Sequence, residues 1–123
     1  MIDHVTLQVA DVAVSRQFYE PLLATLGARV EGGDDGWVGF FGAEGGSFWL
    51  IPAERPDDRE LHVAFSAVDR AHVRDFHAAA LGIGAEILHA PRLFPEYHDA
   101  YYGTFVRDPD GHNIEAVCHL PED

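Results

Sequence analysis

The chain has 123 residues, 47% of them apolar, which suits one domain with a real core and is too apolar for disorder. Acidic residues number 21 against 8 arginines and no lysine, a formal charge of −13, so neither nucleic acid nor an anionic membrane is expected as a partner. Cys118 stands alone, which excludes an internal disulfide, and no apolar run approaches the roughly 20 residues of a membrane helix or resembles a leader, so a cytoplasmic protein is expected.

Residues 2–9 alternate as a strand, with Val5, Leu7 and Val9 on an apolar face and His4, Thr6 and Gln8 on a polar one. Asp11 is a fitting N-cap for a helix whose Val14, Phe18, Leu22 and Leu26 recur every four residues, and Gly27 would stop it. Pro21 predicts a kink or a restart within that helix. Three short strands follow over 28–31, 37–41 and 47–51, separated by glycine-rich turns. Residues 54–59, rich in proline and charge, read as a linker between a first module, 1–53, and a second, 60–123.

The second module repeats the first. At an offset of 58, His62 falls on His4, Val63 on Val5, Phe65 on Leu7, Asp69 on Asp11 and Phe76 on Phe18; one deletion later Gly84, Ala85 and Ile87 fall on Gly27, Ala28 and Val30. Internal duplication of a βαβββ unit is the simplest reading, giving an α+β fold in which helices cover one sheet face and the other curves around a cavity. The loop at 93–102 is unusually aromatic: it is either a structural lid, or a contact surface in which Glu96, His98 or Tyr101 meets substrate or moves protons.

Asp108-Pro109-Asp110-Gly111 has the ingredients of a tight turn, and the strand after it places Ile114, Ala116 and Cys118 on one face and Asn113, Glu115 and Val117 on the other. A carboxylate at Glu115 either lies on a wet face or has a partner: a cation, hydrogen bonds or a metal. His4 and His62 each face away from the apolar side of their strands, as Glu115 does. Together they make a 2-His-1-carboxylate set, able to hold a divalent ion and leave positions open for a ligand with two adjacent oxygens. Pairing the last strands of the two modules sets Trp49 against Glu115, so Trp49 is either core or a stacking wall for a flat ligand.

The His-Val-Thr-Leu opening at His4, Phe18-Tyr19, the second-module histidine at His62 and the closing Asp-Pro-Asp-Gly-His-Asn-Ile-Glu together resemble the vicinal oxygen chelate superfamily, over nearly the whole chain. That group includes glyoxalase I, extradiol dioxygenases, fosfomycin-resistance transferases and bleomycin-binding proteins. The resemblance implies paired βαβββ modules around a divalent metal (Fe, Mn, Zn, Ni or Co) held by His4, His62 and Glu115, and a homodimer. A small-molecule pocket is expected around Thr6, Trp49, Tyr101, Tyr102 and Asn113, with Glu96 and His98 as candidate acid-base residues. Thr6 matches the transferases, but basic residues are lacking after Arg107. Trp49 stands where glyoxalase I has a fourth, carboxylate ligand. The implied function is a metal-dependent enzyme acting on vicinal oxygens; the competing one is a bleomycin-resistance type of protein that binds or sequesters a small aromatic molecule without catalysis.

Overall fold

A computed structural model describes residues 1–33, 36–54 and 60–121. Two modules of the same topology make up the chain. The first comprises strand β1 (His4–Val9), helix α1 (Val12–Ala24), β2 (Arg29–Gly32), β3 (Val38–Phe41) and β4 (Ser47–Pro52). The second comprises β5 (His62–Ser66), α2 (Arg70–Gly82), β6 (Glu86–Leu93), β7 (Tyr102–Arg107) and β8 (Asn113–Cys118). Each forms a mixed four-stranded sheet, in the orders β1-β4-β3-β2 and β5-β8-β7-β6, and the first strand of each pairs in parallel with the last. Of the expected linker, all but Glu54 lies outside the described residues.

The repeat is visible in the caps as well as the order. Asp11 and Asp69 accept bonds from the N–H groups of Val14 and His72, satisfying donors that the first turn leaves bare. At the other end Ala28 N–H bonds to Leu23 C=O and Ala85 N–H to Ala80 C=O, around Gly27 and Gly84 at φ of +83° and +72°. Both helices therefore end in the six-to-one bond of a Schellman motif, where only glycine reverses the chain without strain. Helix α1 includes Pro21 near its C-terminal end without the expected restart, forgoing only the bond its missing N–H would have made.

Alternation assigns the faces. Leu7, Val9, Phe48 and Leu50 of the first sheet, and Val106, Ile114 and Ala116 of the second, are buried in one shared core with Phe18, Tyr19, Leu22 and Phe76 of the helices. The two helices pack on each other, α1 covering β3 and β4 and α2 covering β6, β7 and β8. Both polar faces thus point away from the helices.

The turn after β7 holds the modules together. Gly111, at φ +87°, closes it with a 3.0 Å bond to Asp108 C=O. The buried Asp108 carboxylate accepts backbone bonds from Asp110 and His112, and a 2.5 Å bond from Tyr19 OH on α1. Asp110 accepts from Ala10 N–H at 3.1 Å, just before α1 begins. His112 is buried and its Nδ1 accepts from Leu61 N–H, fixing the start of β5.

Candidate metal and ligand site

Strand β8 lies inside the second sheet, so Glu115 sits between Ala64 on β5 and Phe105 on β7. The small alanine leaves space above the sheet and the phenyl ring walls it. Segment 94–101 folds over this face, anchored by the buried Phe94 against Phe105 at 5.1 Å between ring centres. The result is a cavity of about 370 Å³ lined by His62, Tyr97, Tyr101, Phe105 and Glu115. Glu115 is 1% exposed, so its charge must be met inside the protein.

It is met on both oxygens. Tyr101 OH donates to Oε2, and His62 Nε2 lies 3.1 Å from Oε1. Burial, and then the Glu115 carboxylate, push the Tyr101 hydroxyl well above the ordinary phenol value, so the proton stays on the tyrosine. The other nitrogen of His62, Nδ1, is 3.2 Å from the Asn113 carbonyl, which can only accept, so Nδ1 carries a hydrogen. Nε2 then faces a carboxylate oxygen, a pairing that is satisfied by a proton on Nε2 or by a cation between the two. The spacing fits a metal: two ligand atoms each about 2.1 Å from one ion at about 90° lie about 3.0 Å apart. A backbone carbonyl behind the imidazole is the usual support for a metal-bound histidine.

His4, on the first sheet, likewise has its Nδ1 engaged, 2.7 Å from the Asp3 carboxylate. It does not reach the cavity. Among the described residues no three His, Cys, Asp or Glu side chains come together to hold a metal, so within one chain the structure unites His62 and Glu115 but not His4.

The other sequence-expected site residues divide. Tyr101 lines the cavity, and Asn113 is beside His62 in the register, its Oδ1 buried without a partner among the described residues. Thr6 and Trp49 face each other across β1 and β4 on the open face of the first sheet. Trp49 lies flat over Gly39, where an added Cβ would come within 2.7 Å of the ring, and Trp37 lies likewise over Gly32. With Phe41 they form an aromatic platform, at 5.6 Å and 5.3 Å from Trp49. Tyr102 points to the helix side of the second sheet, under the guanidinium groups of Arg70 and Arg74, because strand alternation resumes at that residue. Glu96 is paired with Arg92 at 3.3 Å, and His98 Nε2 is 2.8 Å from His119 Nδ1; neither lines the cavity. Sequence reasoning did not single out Phe105, Tyr97 or Trp37; the register partner of Glu115 and the spacing of Trp37 from Gly39 were the available signals.

Residues 1–116 match the family model described as the Glyoxalase/Bleomycin resistance protein/Dioxygenase superfamily. The chain belongs to this superfamily. Among solved structures, a glyoxalase/bleomycin resistance protein from Albidiferax ferrireducens is 25% identical, with a TM-score of 0.81 over 98% of this chain and 99% of that one. A glyoxalase/dioxygenase from Nostoc punctiforme has 22% identity and a TM-score of 0.72, over 98% of this chain and 91% of the other. A lactoylglutathione lyase from Agrobacterium tumefaciens has 19% identity and a TM-score of 0.71, over 96% and 92%. The sequence matches no curated protein. No described helix of this glyoxalase-superfamily chain is long and apolar enough to cross a membrane.

Proposed function

We propose that this glyoxalase-superfamily protein is a metal-dependent enzyme acting on a small molecule with two vicinal oxygens. The observation that carries the reading is the pair His62 Nε2 and Glu115 Oε1, 3.1 Å apart, with the imidazole's far nitrogen tied to a carbonyl. His4 supplies the third ligand from a second copy. In support, β1 and β5 are both sheet-edge strands, and the exposed Ile2 and Leu61 lie within two residues of the two histidines. Setting the open face of one copy's first sheet against the partner's second sheet completes the 2-His-1-carboxylate set and roofs the cavity with the tryptophan platform.

A divalent ion so held supplies Lewis-acid polarisation of the two oxygens. The chain's own residues orient and enclose: Phe105 walls the carboxylate from water, Asn113 Oδ1 offers an acceptor, and Trp49 presents a flat face. Trp49 spends its indole N–H on Ser47 and has no lone pair to give, so the three-ligand set keeps positions open for both substrate oxygens. This absence of a fourth protein ligand sets it apart from the glyoxalase I arrangement. The Trp37-Trp49-Phe41 platform also favours a second reading, a binding protein for a planar molecule without catalysis.

Calorimetric titration of chelator-stripped protein with Mn, Fe, Co, Ni and Zn tests the first reading. Wild type is expected to bind one of them, and Glu115→Gln to lose at least about 100-fold in affinity while still folding. Equal affinity in the two proteins would leave only the binding-protein reading.

A further inference from the structure

We infer that Tyr101 is a positioning residue for Glu115 and, through the same hydrogen bond, the latch of segment 94–101. The metal half of this inference rests on the proposed site; the latch half does not.

The two oxygens of Glu115 have been given different work. Oε1 faces His62, and Oε2 is turned to the lid by the Tyr101 hydroxyl. With Oε2 engaged by Tyr101, Glu115 would offer Oε1 alone to a bound ion, which would leave one more position for substrate than a two-oxygen carboxylate. The space for this arrangement is built into β7: a Cβ at Gly103 would stand 3.2 Å from Glu115 Oε2 and 3.5 Å from the Tyr101 ring. An alanine there would press on the carboxylate oxygen and, at 3.3 Å, on the Ala116 carbonyl, while only touching the ring.

On the lid itself, Tyr101 closes a hydrogen-bonded loop. Phe94 N–H bonds to Tyr101 C=O at 2.8 Å, and Tyr101 N–H to His98 C=O at 3.2 Å. Its ring packs edge-on to Phe94 and Tyr97, and His98 and His119 lie on its other side. Among the described residues, Tyr101 OH is the lid's side-chain hydrogen bond to the cavity floor. Opening the lid therefore uncovers a buried carboxylate and frees its second oxygen in one movement.

Tyr101→Phe removes the bond and keeps the ring. In metal-free protein, hydrogen exchange at the amides of Tyr97 and Tyr101 is expected to quicken about tenfold, the effect of one charge-assisted hydrogen bond. Cobalt(II) affinity is expected to fall about 10- to 100-fold, with a changed d–d absorption, as the carboxylate loses the orientation that the hydroxyl gave it. Unchanged exchange overturns the latch. Unchanged cobalt affinity and spectrum overturn the positioning role. If wild type binds no cobalt, the proposed metal site and the positioning role fail together, while exchange still decides the latch. Should Tyr101→Phe not fold, Gly103→Ala disturbs the same bond from the sheet side and carries the same expected outcomes.

Discussion

Trp49 shows how one side chain discriminates between the two functions. Its ring is supported from below by the bare backbone of Gly39 and flanked by Trp37 and Phe41, on the sheet face that carries His4 and Thr6 rather than in the helix-packed core. Replacement by glutamate removes aromatic contacts worth about 0.5 to 1.5 kcal/mol per pair, but the new carboxylate reaches solvent on an open face, so the fold should survive. Trp49→Glu is then expected to tighten metal binding by adding a fourth ligand, and to weaken planar ligands. Metal titration beside a thermal melt checks this: a large fall in melting temperature without a gain in metal affinity would mean that Trp49 acts as core. At this scale the sequence was legible wherever strand phase was continuous, as for His4, His62 and Glu115. It was not legible at Tyr101 and Tyr102, where loop becomes strand and adjacent tyrosines take opposite directions: one to the cavity, one to the arginines of α2.

Among the elements, the turn after β7 repays comparison with its sequence reading. Asp-Pro-Asp-Gly announces a turn through its local chemistry, yet each aspartate also reaches the other module: Asp108 to Tyr19 on α1 and Asp110 to the chain entering α1. Those contacts span 89 and 100 residues of sequence and leave no periodic trace, which is why the helices and strands were legible and the clamp was not. The bond has a pH signature. Burial, then Asp108, hold the Tyr19 phenol far above its ordinary value of 10.0, so above that pH the unfolded chain releases a proton that the folded one keeps. The stability is fully present below pH 10 and is lost as pH rises, by about 1.4 kcal/mol per pH unit for one such group. Denaturant titrations at rising pH should show this slope. Tyr19→Phe should remove its share of the slope, leaving that of Tyr101, while costing about 1 to 2 kcal/mol at neutral pH, because Asp108 keeps its backbone donors. A slope unchanged by the substitution would remove Tyr19 from the account.

For the whole molecule, duplication explains both the fold and the incompleteness of its site. Aligning the halves by residue type alone places two capped helices 58 residues apart, and the structure has them at Val12–Ala24 and Arg70–Gly82. The same alignment gives each half one histidine on an edge strand, but sequence spacing says nothing about which edges meet in space. The two sheets of one chain share a helix-filled core, and their open faces point away from it, one bearing His4 and the aromatic platform, the other His62 and Glu115. The central claim is that two copies unite these faces around a divalent ion. A mixed dimer tests it most directly: one chain carries His4→Ala, the other His62→Ala with Glu115→Gln, so that a site shared between copies survives intact at one of two positions. The account predicts that each variant alone binds no metal and that the purified mixed dimer recovers half the metal of wild type; a mixed dimer with no metal, or a His4→Ala protein that retains all of it, would contradict the shared site.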